Sequence, residues 1–205
     1  MSREQVFADV RRALAARKGQ APRTPEAPYA IAAMDASERL ARFLTRAVQH
    51  ACSVERLDAI AQVPAAVQAY LEAHALPLQI ASARPLAALD WPSVITRDTG
   101  AAVMQTRTAV SLAAAGIAES GTLAMCSGPD SPITHNFVPE YHIVVLREAD
   151  IVAAQEDVWQ RLRAGGAMPR AVNLIAGPSR TGDVEQTIQI GAHGPRAVHI
   201  LLVGS

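Results

Sequence analysis

The stretch VSLAAAGIAESGTLAMC, residues 110–126, decides the fold class. It reads as two small-residue apolar runs, Val110 to Ala118 and Thr122 to Cys126, meeting at Glu119-Ser120-Gly121. Neither run alternates apolar with polar residues, so a strand here is covered on both faces, as parallel strands under helices are. Outward from this stretch, further strands are legible at Ala51 to Leu57, Leu76 to Ala81, His142 to Leu146, Ala171 to Ala176 and Val198 to Val203. Between them lie helical patterns. Asp35 or Ser37 caps one that runs to about His50, Pro64 to His74 carries proline in its first turn, and Ile151 to Ala164 forms a third. Helices alternating with continuous apolar strands predict an α/β domain with a mainly parallel sheet.

Ahead of this rhythm, Val6, Phe7, Val10, Ala13 and Leu14 fall at helical spacing within Glu4 to Lys18, with Arg and Asp on the other face. Lys18-Gly19 reads as a stop, and Pro22, Pro25 and Pro28 make an extended connector. The expected organisation is therefore residues 1–28 as helix and connector, then one domain over 29–205. The helix either docks on a partner subunit or packs back on its own domain.

Composition removes several function classes. With 50% hydrophobic and 19% charged residues, the 205-residue chain can bury a sizeable core. Nineteen basic against nineteen acidic residues give a formal net charge of +0, so no overall field gathers nucleic acid or an anionic membrane. Lys18 is the only lysine and sits in a charged N-terminal stretch, which argues against Schiff-base and P-loop chemistry. The longest uncharged run, Ala59 to Leu71, contains Pro64 and falls short of the about 20 apolar residues a membrane span needs. Met1 to Arg12 lacks the apolar core of a secretory signal, so a cytoplasmic location is expected. Cys52 and Cys126 are the only thiols and form no C-x-x-C, too few for an iron–sulfur cluster that wants about four thiolates. No metal and no cofactor bound by this chain is expected.

Three polar loops are the candidate chemistry, expected at the carboxyl ends of the strands. In Glu119-Ser120-Gly121-Thr122, a carboxylate and two hydroxyls arrive at one bend, as a nucleophile or base with donors beside it would. An ordinary hairpin turn uses the same residue types. In Gly177-Pro178-Ser179-Arg180-Thr181-Gly182-Asp183, hydroxyls, backbone N–H groups and the Arg180 guanidinium suit a carboxylate or phosphate. Equally, Asp183 with Gln186 can cap a following helix. Third, His193 stands between Ala192 and Gly194, accessible enough to shuttle protons or to brace its turn. His135, His142 and His199 show no metal-ligand spacing, and the dinucleotide, P-loop, esterase and thioredoxin signatures are all missing.

Several motifs in register carry a resemblance. They are Ala118-Glu119-Ser120-Gly121-Thr122-Leu123, then Ser127 to Leu146 with Ser127-Gly128-Pro129, Asn136-Phe137, Pro139-Glu140 and His142 to Val145, then Gly177 to Glu185 and Gly191 to Pro195. The chain resembles the lactate-utilisation protein C family, the LUD-domain proteins, well over Ala109 to Val203 and more loosely elsewhere. It departs from the family pattern at His135, where an apolar residue is usual, and at Val138, where leucine is usual. The resemblance implies the three-layer α/β/α fold of CoA transferases, ribose-5-phosphate isomerase and glucosamine-phosphate deaminase. It also implies a supporting role in oxidising L-lactate to pyruvate, beside two partner subunits that carry the iron–sulfur clusters. The rival expectations are a stand-alone enzyme of the isomerase or CoA-transferase kind, using Glu119 and Arg180 on an anionic substrate, and a non-catalytic scaffold. Expected site residues are Glu119 and His193 for chemistry, with Ser120, Gly121, Thr122, Ser179, Arg180, Thr181 and Asp183 for a small carboxylate or other anion.

Overall fold

The computed structural model describes residues 2–16, 33–166, 168–181, 189–190 and 193–204. Two units divide the chain, Met1–Ala32 and Ala33–Ser205. In the first, helix α1 (Arg3–Ala16) leaves Val6, Phe7, Val10 and Leu14 exposed along one stripe. Lys18, Gly19 and the three connector prolines lie outside the described residues.

The second unit is built on a six-stranded, wholly parallel sheet. Its strands are β1 (Ser53–Leu57), β2 (Gln79–Ser82), β3 (Thr96–Asp98), β4 (Thr108–Leu112), β7 (Tyr141–Arg147) and β12 (Ala197–Val203), in the order β1-β12-β7-β4-β2-β3. Both faces are buried, as the continuous apolar runs require. From β7 and β12, Ile143, Val145, Leu201 and Val203 face helix α3 (Val63–Ala73), packing on its Val63, Val67 and Leu71. The alternate residues Val144, Leu146, Ile200 and Leu202 face helix α2 (Ala36–Gln49), packing on Phe43 and Ala47. Asp35 caps α2 by accepting from the Glu38 N–H at 2.9 Å while Glu38 reaches back to the Asp35 N–H, a reciprocal capping box.

A second sheet lies on the α2 side. It has four strands in the order β8 (Ile151–Val152), β5 (Ala115–Ile117), β6 (Thr122–Cys126) and β9 (Val172–Ile175), with β6 antiparallel to both β5 and β9. Helix α4 (Gln155–Ala164) covers its outer face through Val158. A short antiparallel pair, β10 (Arg180–Thr181) with β11 (Gln189–Ile190), completes the described strands.

Three expectations are corrected here. The run Val110 to Ala118 is two strands in different sheets, because Ala113 donates to Val145 O on β7 while Ala114 donates to Ala124 O on β6, both at 2.9 Å. Ile151 and Val152 extend as β8 beside β5 before the helix begins at Gln155. The strand over Ala171 to Ala176 belongs to the smaller, mixed sheet, where it runs antiparallel to β6, so the loop after it does not leave a carboxyl end of the parallel one.

Candidate functional site

Two of the three polar loops meet at His50, the C-cap of α2, which no sequence motif singles out. In the first, β5 and β6 pair with Ile117 opposite Thr122, and Gly121 N–H donates to Ile117 O at 2.8 Å, closing a tight hairpin. Glu119 Oε1 accepts from the Gln155 N–H at 2.9 Å. That donor opens α4, where helical N–H groups lack partners and negative charge is favoured. Ser120 O accepts from His50 Nε2 at 3.0 Å. Gly121 holds φ at +70°, and a Cβ there would stand 2.4 Å from Arg46 Cβ, so α2 lies directly against the turn. Thr122 is buried at the start of β6. The polar groups of this turn thus dock α2 and α4 onto the small sheet.

The second loop crosses the same helix end. Gly177 has φ +84°, and a Cβ on it would lie 2.0 Å from His50 O, a space only hydrogen fits. Burial pushes the adjacent Cys52 thiol up to about 11, with the Gly177 backbone pulling slightly the other way; burial also raises Cys126. Ser179 N–H donates to Pro195 O at 2.8 Å, which ties the second loop to the third. Ser179 and His193 then line one pocket of about 230 Å³, together with Asn136, Phe137, Gly194 and Val198. Asn136 and Phe137 precede β7, and Val198 is the second residue of β12. The pocket therefore lies at the amino ends of the parallel strands, not at the carboxyl ends expected. Arg180 is exposed on β10 opposite Ile190, and Thr181 pairs with Gln189. Asp183 and Gln186 lie outside the described residues.

Behind the pocket are buried polar side chains that the sequence reading did not place among the site residues. Asn136 is 5% exposed and its Oδ1 has no hydrogen-bond partner. His142, in register with Val198, sets Nε2 3.0 Å from Ser111 Oγ and leaves Nδ1 unpartnered. His135 Nε2 meets Gly100 O at 2.8 Å. Burial lowers both histidines, His142 to about 3 with His135 adding to the effect, so both are neutral near pH 7. The sequence signal was available, since Asn136 and His142 stand in the motifs that carry the resemblance and His135 departs from them.

On the opposite face, His199 Nδ1 lies 2.8 Å from Ser53 Oγ and its Nε2 3.6 Å from Glu55, while Tyr70 stacks between His74 and His199. The order mimics a nucleophile–base–acid series. Burial and the neighbouring His74 hold His199 down at about 4, which makes it a poor proton acceptor near neutrality. Among the described residues no group of three or more His, Cys, Asp or Glu could hold a metal ion, and no helix is long and apolar enough to cross a membrane.

The LUD domain family model matches residues 36–203. YkgG, an uncharacterised protein of Escherichia coli K12, is 35% identical over 103 residues, covering 48% of this chain and 45% of that protein. Lactate utilization protein C of Geobacillus thermodenitrificans is 26% identical over 117 residues, covering 55% of this chain and 49% of its own length. The chain thus matches these relatives over less than half their length. Among solved structures, a DUF162 family protein of Deinococcus radiodurans superposes with a TM-score of 0.60 at 19% identity, covering 84% of this chain and 100% of that one. That likeness is one of fold.

Proposed function

The chain belongs to the LUD domain family, and from that premise we propose that it serves a cytoplasmic lactate-utilisation system as a subunit that carries no redox centre. The observation that carries this reading is the similarity to relatives named lactate utilization protein C. Converting L-lactate to pyruvate removes two electrons and two protons from one carbinol group. In this reading the electrons go to iron–sulfur clusters on two partner subunits. The two thiols of this sequence, both shifted toward the protonated form by burial, support placing the clusters elsewhere.

Deletion of the gene tests the reading. Growth on L-lactate as sole carbon source is expected to fail while growth on pyruvate continues, with rescue by the wild-type chain. The native complex is expected to carry the visible absorption of iron–sulfur centres, and the isolated chain to lack it. Unimpaired growth on L-lactate, or a stable cluster in the isolated chain, overturns the reading.

A further inference from the structure

The last strand of the smaller sheet, β9, presents a backbone edge that a further strand could extend. Its register fixes which groups face outward. Ser127 N–H donates to Ala171 O at 2.9 Å, so Ala171, Asn173 and Ile175 turn their backbone groups toward β6, whereas Val172 and Leu174 turn theirs away from it. Among the described residues no strand pairs with that outward side. From Ala171 to Gly177 the sequence holds no charged residue and no proline, the devices that keep an edge from pairing. Cavities lie at both ends of the strand. One of about 510 Å³ is lined by Ile133, Met168 and Arg170 just ahead of it, and one of about 230 Å³ by Phe137 and Leu174. The apolar side chains there are open to solvent, Ile133 by 40%, Phe137 by 48%, Met168 by 53% and Leu174 by 39%.

We propose that β9 pairs with the β9 of a second copy of this chain, antiparallel across a two-fold axis at Asn173, so that the two smaller sheets join into one. The register that uses the outward groups sets Val172 opposite the partner's Leu174, and by symmetry Leu174 opposite the partner's Val172, each pair exchanging both of its N–H···O bonds. A second copy fits this edge because the pairing is self-complementary. Apolar side chains meet across the strands, Arg170 falls opposite the partner's Ala176, and the two Arg170 side chains lie at opposite ends of the pair. Covering the edge and the four exposed apolar side chains on both copies buries on the order of 1,000 Å², the low end for a specific complex, so the dimer is expected to form in the micromolar range. The inference is independent of the lactate-utilisation reading.

Sedimentation velocity of the purified full chain, from low to high micromolar concentration, reads this out. A concentration-dependent passage from monomer to dimer is expected. Leu174→Lys puts a cation on the face where the strands meet and Val172→Glu an anion; each alone is expected to weaken self-association about tenfold while the circular dichroism spectrum stays that of the wild type. Leu174→Pro should do the same, because the N–H it removes points away from β6. Mixed in equal amounts, Leu174→Lys and Val172→Glu should recover the dimer, since the register sets position 174 of one copy against position 172 of the other. A wild-type chain that stays monomeric, as it would if the edge served a strand of another protein, overturns the pairing. So does a dimer that Leu174→Lys and Leu174→Pro both leave intact, or a mixture that shows no recovery.

Discussion

The Glu119–Thr122 turn and the Asn136–Ser179 pocket draw on the same residue types, yet the fold uses them in opposite ways. In the turn, Glu119 meets Gln155, Ser120 meets His50, and Gly121 is pressed against α2. The Glu119 carboxylate and the Ser120 carbonyl are matched inside the protein. Around the pocket, Asn136 Oδ1 and His142 Nδ1 are buried without hydrogen-bond partners. What separates the two regions is therefore not polarity but hydrogen-bonding capacity left over after folding.

Acid is expected to act first through the buried histidines, one on each face of the parallel sheet. His142 is held near 3 and His199 near 4 in the fold, whereas an unfolded histidine titrates near about 6.5. Their neutral forms contribute stability that is present above about pH 6.5 and lost as pH falls toward the folded values, by up to about 1.4 kcal/mol per pH unit for each group. Denaturant melts at stepped pH should show a loss of several kcal/mol by about pH 4.5, and His142→Asn should flatten the slope. A flat profile between pH 6.5 and 4.5 contradicts the burial of these rings.

Gly177→Ala follows in size. The positive φ and the contact with His50 O together predict a loss of about 3 kcal/mol, seen as a melting temperature lower by roughly 10 °C. Glu119→Ala removes only a helix-end acceptor and should cost about 1 kcal/mol in thermal melts. A much larger loss would mean that the turn holds α4 by more than this one bond. Smallest is Ser179→Ala, within about 0.5 kcal/mol in stability in the same melts.

Much of the fold was legible because its elements carry local signals. Asp35 with Glu38 marks the start of α2, and the runs at β7 and β12 can only be doubly covered strands. The switch between sheets at Ala113 and Ala114 was not legible. Alanine there bears no turn signal, and the change is made by two consecutive N–H groups choosing different partners. Likewise, nothing in Val172–Ile175 says which sheet a buried strand joins, and misplacing it put the pocket at the wrong strand ends. Of the expected site, Ser179 and His193 do come together, while Asn136 was passed over because its significance lies in a missing partner.

The rims of the parallel sheet have a consequence for how the protein behaves at high concentration. One rim is β3, only three residues long and bearing Arg97 and Asp98; the other is β1, which exposes Glu55 and Arg56, with Arg56 paired to Glu148. Short or charged borders make poor templates for an incoming strand, since adding one would desolvate those charges and find few backbone groups to bond. The apolar ladder at the centre is thereby kept from seeding fibrils through either border.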